Sequence, residues 1–163
     1  MDWTGLFIYV LSFLASLLLP AQQQDNFVLH GNVEKVYDGD TFYVYIYNTS
    51  SYEKVRLKCI DFPDLHPQNR VDKWIRAGVN NESHLHYCYT KGNELVKQLV
   101  LHKDVWIKQD KPWERDKYGR LLGYVYLNSS FDVNKWLIMQ GYAMPYYCHV
   151  YDKYWEKEGC LWN

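Results

Sequence analysis

The sequence predicts a mainly β protein with added helices, built as one small five-stranded barrel. Three observations carry that prediction. Five short runs are rich in β-branched and aromatic residues and are bounded by turn residues. Helical spacing is confined to a few segments interspersed among them, which favours a barrel over a parallel α/β sheet. The chain has 163 residues, of which 48% are hydrophobic and 23% charged, the size and balance of a single folded domain, with no internal repeats or low-complexity stretches.

Residues 27–37 (FVLHGNVEKVY) read as the first strand, which Asp38-Gly39-Asp40 breaks. Residues 41–47 follow as the second, and a polar turn over 48–52 leads to a third at 54–60. Alternation there sets Val55, Leu57 and Cys59 on one face and Arg56, Lys58 and Ile60 on the other. Pro63 ends it by removing a donor and holding Phe62 extended. Residues 65–88 show no clear period and read as a long loop holding at most a short helix. Residues 93–100 turn helical, with Val96, Leu99 and Val100 at i, i+3 and i+4. Residues 105–108 and 121–127 supply the fourth and fifth strands. Asp132 is a good N-cap for a helix with Val133, Trp136, Leu137 and Gln140 on one side, and Gly141 suits its end. A last short helix is expected over 152–158. Trp74, Trp106 and Trp136 read as core residues.

Residues 1–24 stand apart from this domain, which runs from 25 to 163. Residues 5–21 (GLFIYVLSFLASLLLPA) carry no charge, and Asp2 is the only charged side chain before Asp25. Seventeen such residues sit at the lower edge of a membrane span and slightly beyond a signal-peptide hydrophobic region. A signal peptide or membrane anchor is therefore expected, with a buried core helix as the alternative. Leu19-Pro20-Ala21 resembles a cleavage site, while the lack of Lys and Arg leaves the positive-inside rule nothing to act on. The domain is thus expected outside the cytosol, secreted or membrane-anchored, with membrane association through residues 5–21. Sequons at Asn48, Asn81 and Asn128 agree with export, as do the four cysteines, Cys59, Cys88, Cys148 and Cys160. Four cysteines allow three pairings, and the sequence does not choose among them. His84-x-His86-x-Cys88 reads as a solvated loop with a disulfide cysteine or, alternatively, a transition-metal site; the chain has no C-x-x-C.

Eighteen basic and nineteen acidic side chains give a net charge of -1, which excludes a strongly basic nucleic-acid coat. Any phosphate binding must come from a local cluster. Aromatic residues reach 18%, with 16 Tyr and 7 Trp, enough for a core, a stacking platform or both.

Asp38-Gly39-Asp40 by itself reads as a hairpin turn in which D-G supplies positive φ, and the EF-hand frame is absent. Asp61 and Asp64 around Pro63 by themselves read as a solvated turn. Together, Asp40, Asp61 and Asp64 give three carboxylates at strand ends, with Arg56 five residues before Asp61. Arg115-Asp116-Lys117-Tyr118-Gly119-Arg120 then opens the fifth strand. Such carboxylates suit a hard cation such as Ca²⁺, and two arginines suit a phosphate beside it, a mixture fit for phosphodiester hydrolysis.

The stretches 36–41 (VYDGDT), 55–64 (VRLKCIDFPD) and 116–120 (DKYGR) resemble, in order, the three signatures of the staphylococcal-nuclease-like (thermonuclease) family. Gly141-Tyr142-Ala143 resembles a later G-x-A segment, and Trp162 sits where the family has a tryptophan near the domain end. The resemblance spans residues 28–162. It implies an OB-fold with a five-stranded barrel and about three helices, and a Ca²⁺-dependent endonuclease acting on DNA and/or RNA. On that resemblance Asp40 and Asp61 are metal carboxylates and Phe62 ligates through its carbonyl. Arg56 and Arg120 bind phosphate and stabilise the transition state, and Tyr118 contacts the nucleotide. Tyr147 meets a nucleotide-stacking tyrosine; His149 falls on a second one, for which Tyr151 is the substitute. Asp64 matches a glutamate associated with the attacking water. Its shorter side chain withdraws the carboxylate by about a bond length, and a misplacement of about 1 Å costs on the order of 100-fold, so activity is expected to be reduced. Two other readings accompany this one: a catalytically weak or inactive OB-fold nucleic-acid-binding module, and a membrane-anchored or secreted interaction domain.

Overall fold

A computed structural model describes residues 27–163, so the expected leader at 1–24 lies outside the described residues. Five strands, β1 (Phe27–Asp38), β2 (Thr41–Ile46), β3 (Ser51–Leu57), β5 (Asp104–Gln109) and β6 (Leu121–Tyr126), close a barrel in the order β1-β2-β3-β6-β5. The β3–β6 pair is parallel and the other four pairs are antiparallel. Two register shifts, between Val33 and Lys35 and between Val36 and Asp38, interrupt the pairing of β1 with β2. Such bulges bend a strand, and β1 pairs with both β2 and β5. Inward positions alternate along each strand, and Val33, Val44, Ile46, Val55, Ile107 and Val125 have no exposed surface. Burying each of these side chains stabilises the fold by about 2 kcal/mol.

Three helices attach to this barrel, α1 (Gln68–Ala77), α2 (Glu82–Val100) and α3 (Val133–Met139). A two-stranded ladder of β4 (Ile60–Asp61) and β7 (Met144–Pro145) ties the chain after β3 to the C-terminal segment. The mainly β barrel with helices is therefore the observed fold. A second, smaller core forms where α1 and α2 meet the chain end, around Trp74, Leu85, Cys88 and Leu161. Among the described residues no helix is long and apolar enough to cross a membrane.

Several expectations are corrected. Residues 65–88 are not a long loop but hold α1 and the first part of α2. Asn81 caps α2, accepting the His84 N–H at 2.9 Å, and the buried stripe is Leu85, Cys88, Gly92, Val96 and Val100. A cysteine and a glycine in that stripe hide its period. Ile60 is buried with Val55 and Leu57, because the chain turns at Cys59 (φ 65°) and the alternation does not continue past Leu57. Trp106 lies on the outside of β5, where Val105 and Ile107 take the inward positions. In α3 the buried residues are Val133, Asn134, Leu137 and Ile138; Trp136 is half-buried and Gln140 exposed. Asp132 does cap α3, accepting from Lys135 N–H at 3.0 Å, and Gly141 beyond its end has φ 69°. The final helical segment is a 3₁₀ turn at His149–Tyr154 rather than a helix over 152–158.

All four cysteines pair, Cys59 with Cys148 and Cys88 with Cys160. Cys88 is therefore no thiolate ligand. His84 Nε2 beside it lies 2.6 Å from the Cys160 carbonyl oxygen, so the H-x-H-x-C run is a structural corner.

Candidate active site

The turn at Lys58-Cys59 brings Arg56 and Asp61 face to face. Arg56 Nη1 donates to the Leu57 carbonyl at 2.5 Å and Nη2 to the Ile60 carbonyl at 3.1 Å. The same Nη2 lies 2.9 Å from Asp40 Oδ2 and 3.5 Å from Asp61 Oδ1, so one guanidinium bridges two carboxylates from different motifs. Asp40 is fixed in turn: Oδ1 accepts from the Thr41 hydroxyl at 3.1 Å and Oδ2 from the Phe62 N–H at 3.0 Å.

The Phe62 ring sets the spacing between these segments. A Cβ on Gly39 would lie 2.3 Å from that ring, and one on Gly92 of α2 would lie 2.9 Å from it. The ring is thus seated between two glycines. This corrects the reason for glycine in Asp38-Gly39-Asp40: Gly39 is not among the positive-φ residues, and it is the close approach of Phe62 that demands it.

Asp40 is 5% exposed, and burial pushes its carboxyl up to about 7. Arg56 pulls it back down, while Asp38 next to it adds repulsion. Its carboxylate therefore gains from any further positive charge. On the other wall, Asp116 organises the loop before β6. Its Oδ1 accepts from the N–H groups of Tyr118 (2.9 Å) and Arg120 (3.0 Å), and its Oδ2 holds Arg120 Nε at 2.7 Å. Arg120 Nη1 then lies 3.5 Å from the Thr41 hydroxyl, so that one threonine touches both walls.

The two walls enclose a cleft of about 330 Å³ that Asp40, Arg56, Asp61, Phe62, Asp64, Tyr118 and Arg120 all line. A second hollow of about 400 Å³ shares Arg56, Tyr118 and Arg120 with it and reaches Tyr147. Asp40, Arg56, Asp61, Phe62, Asp64, Tyr118, Tyr147 and Arg120 therefore each line one or both of two adjoining hollows. Asp64 is exposed and accepts the His66 N–H at 3.2 Å. Tyr118 and Tyr147 are 68% and 60% exposed, open to a stacking partner.

Four contributors were missed. Lys73 on α1 donates to Asp61 Oδ2 at 2.5 Å, and Arg70, one turn earlier, lines both hollows. They share a helix face, a signal hidden by reading their segment as a loop. Buried Lys58 grips Asp110 (2.6 Å) and Glu114 (2.7 Å), drawing the loop that precedes Asp116 against the barrel. Tyr146 lines the second hollow with Lys73 Nζ 4.8 Å from its ring. Tyr151 is not a stacking residue: it is 2% exposed, and its hydroxyl donates to Asp132 at 2.9 Å. His149 is exposed and pairs with Asp152.

The donor set fits a hard cation. Asp40 and Asp61 offer carboxylate oxygens of the kind a hard cation takes, with the Phe62 main chain beside them, and Arg56 and Lys73 are the cations that hold them here. Among the described residues no three His, Cys, Asp or Glu side chains converge as a cage, so water and main-chain oxygen would complete the shell.

Residues 54–161 match the family model described as staphylococcal nuclease homologue. The chain is 32% identical over 124 residues to an uncharacterized protein of Methanocaldococcus jannaschii, covering 72% of this chain and 59% of that one. It is 28% identical over 118 residues to an uncharacterized endonuclease of Escherichia coli, covering 72% and 61% respectively. With endonuclease YhcR of Bacillus subtilis it shares 29% identity over 122 residues, 72% of this chain but 9% of that protein. The chain thus spans about three-fifths of the first two relatives and a small part of the third.

Proposed function

We propose that this chain, which belongs to the staphylococcal nuclease homologue family, is a Ca²⁺-dependent endonuclease hydrolysing phosphodiester bonds of DNA and/or RNA. The observation that carries this reading is the bridge of Arg56 between Asp40 and Asp61, with Arg120 on the facing wall of the same cleft. Asp40 and Asp61, with the Phe62 carbonyl, would hold Ca²⁺, whose charge when bound offsets that of the scissile phosphate. Arg120, held by one edge, offers its remaining donors to phosphoryl oxygens. Arg56, already oriented by four acceptors, stabilises the charge that grows there during in-line displacement. Asp64 orients or deprotonates the attacking water, and Tyr118 and Tyr147 contact the nucleotides on either side. Export through residues 1–24 belongs to the same reading. Two disulfides that use every cysteine are what an oxidising compartment sustains.

The test is a digestion time course of the full, disulfide-intact chain on single-stranded DNA and RNA, with Ca²⁺ and with chelator, beside Arg120→Ala. The expected result is Ca²⁺-dependent cleavage that falls by at least about 100-fold in the variant. A folded wild type that binds both polymers without cutting either would reduce the chain to a binding module. One that binds neither would leave the interaction-domain reading.

A further inference from the structure

The outward side of the barrel carries an aromatic face that the cleft chemistry does not use. On β2, Tyr43 and Tyr45 point outward and pack on Tyr52 of β3, at 5.2 Å and 5.0 Å between ring centres. Tyr47 continues from Tyr45 and meets His30 of β1 at 5.0 Å. His30 stacks on Trp106 of β5 at 4.7 Å and 12°. Rings therefore touch in sequence across four neighbouring strands, about 14 Å at the usual strand spacing. Cross-strand pairing of this kind stabilises a sheet, and rings it leaves part-exposed also present an apolar face to a partner. Here Tyr37, Tyr47, Tyr52 and Trp106 stay between 37% and 54% exposed.

Position and charge say what this face receives. Tyr52, Lys54 and Arg56 occupy successive outward positions of β3, about 7 Å apart at each step, so the face and the cleft share one strand. Lys54 also lines the cleft. Its ammonium lies 4.4 Å from the Tyr37 ring, and Lys35 lies 4.6 Å from the same ring. Two cations thus stand where the aromatic face joins the cleft. The far end is acidic: Asp104, which accepts from Asn32 Nδ2 (2.9 Å) and the Tyr47 hydroxyl (2.8 Å), and exposed Glu34 both act on Tyr47, so phosphates belong at the Lys35–Lys54 end.

We propose that this face is a track for single-stranded nucleic acid leading out of the cleft. Bases stack on Tyr52 and Tyr47, and Lys35 and Lys54 take the phosphates between them and Arg56. A duplex keeps its bases stacked on one another, so the track selects unpaired strands. The proposal rests on the nuclease reading of the cleft, yet the two are measured separately.

The experiment uses the full chain with chelator, so that nothing is cut, and follows fluorescence anisotropy of a labelled thymidine 15-mer and a trimer. In Tyr47→Ser/Tyr52→Ser the 15-mer Kd is expected to rise at least about tenfold while the trimer Kd stays within about twofold. In Lys35→Gln the slope of log Kd against log salt is expected to become shallower by about 0.7. Circular dichroism and melting establish that both variants are folded. A 15-mer Kd within about twofold of wild type in the folded double variant overturns the proposal, since each stacked base is worth at least about fivefold. So does displacement of the oligonucleotide by a neutral glucan, which would make the face a sugar platform. If wild type with Ca²⁺ binds the 15-mer through these rings but does not cut it, the track stands and the nuclease reading falls. Equal KM for trimer and 15-mer cleavage means the reverse.

Discussion

Arg56 and Arg120 face one cleft, yet the first is gripped by two carboxylates and two carbonyls while the second is held along one edge by Asp116. Arg56 projects from a barrel strand, between side chains that are nearly buried. Arg120 ends a loop, beside Tyr118 with two-thirds of its surface in solvent. The barrel wall is preorganised charge, built into the fold. The loop wall, to which the proposed function gives recognition, is fastened to the fold by Asp116 and by Lys58, and the Cys59–Cys148 bridge ties down the chain beside Tyr147. Stability and activity should therefore separate on the loop wall and travel together on the barrel wall.

Arg56→Ala is the strongest way to break that comparison. It leaves Asp40 without its buried partner and is expected to cost about 3 kcal/mol of stability as well as cleavage. Arg120→Ala should lose cleavage while costing less stability than Arg56→Ala, because the part-buried Asp116 keeps its two main-chain N–H donors. Urea titration of both variants checks the contrast. Adding Asp40→Ala to Arg56→Ala should recover part of the stability, because the stranded charge goes too.

Next in size is the tether. Cys59→Ala/Cys148→Ala opens a link between residues 89 apart in sequence and is expected to cost about 3 kcal/mol. It should also raise KM about tenfold with little change in kcat, since it frees the Tyr146-Tyr147 segment and leaves both arginines in place. Steady-state kinetics on an oligonucleotide reads the split; a fall in kcat alone would mean the bridge serves the barrel wall instead.

The fold was legible because barrel strands advertise themselves by alternation. The candidate cleft was legible because, Tyr147 apart, its sequence-predicted lining residues cluster in three short motifs, two of them beside tight turns. What stayed hidden has physical causes. Helix α2 buries Cys88 and Gly92 where a helical stripe normally shows Leu or Ile, so its first half carried no period. Losing that helix and α1 also lost Arg70 and Lys73, which reach the cleft only as neighbours on one helical face. Trp106 was misread because its size suggested a core, while the alternation of Val105 and Ile107 had already assigned it to the outside. Tyr146 rather than Tyr151 serves the second hollow because the 3₁₀ turn rotates Tyr151 inward onto Asp132.

Asp64→Glu tests an exposed group beside the barrel wall. Extending an exposed carboxylate by one methylene towards the cleft should raise kcat several-fold without altering stability; single-turnover rates equal to or below wild type would remove Asp64 from the chemistry. The smallest effect concerns Asp116. Burial alone would raise its carboxyl, but the Arg120 guanidinium and the N–H groups of Arg120 and Tyr118 outweigh burial and hold it below its ordinary 3.8. The stability it contributes is full above about pH 5 and is lost as the pH falls through its lowered value in the folded protein. Melting of wild type and Asp116→Asn should therefore differ by less than about 1 kcal/mol at pH 7, and converge only as the pH falls through that lowered folded value.

The seat of Phe62 between Gly39 and Gly92 bears on how such a protein can change. The chain leaves the cleft at Phe62, runs through α1 and half of α2, and comes back to the same ring at Gly92. Both ends of this thirty-residue excursion are pinned to one aromatic plane, and so is the turn that carries Asp40. Away from Asp64, Arg70, Lys73 and Cys88, length and composition between the pins can drift without moving the carboxylates. A single methyl group added at either glycine would shift them all. Tolerance to insertion and intolerance to the smallest substitution thus meet in one ring.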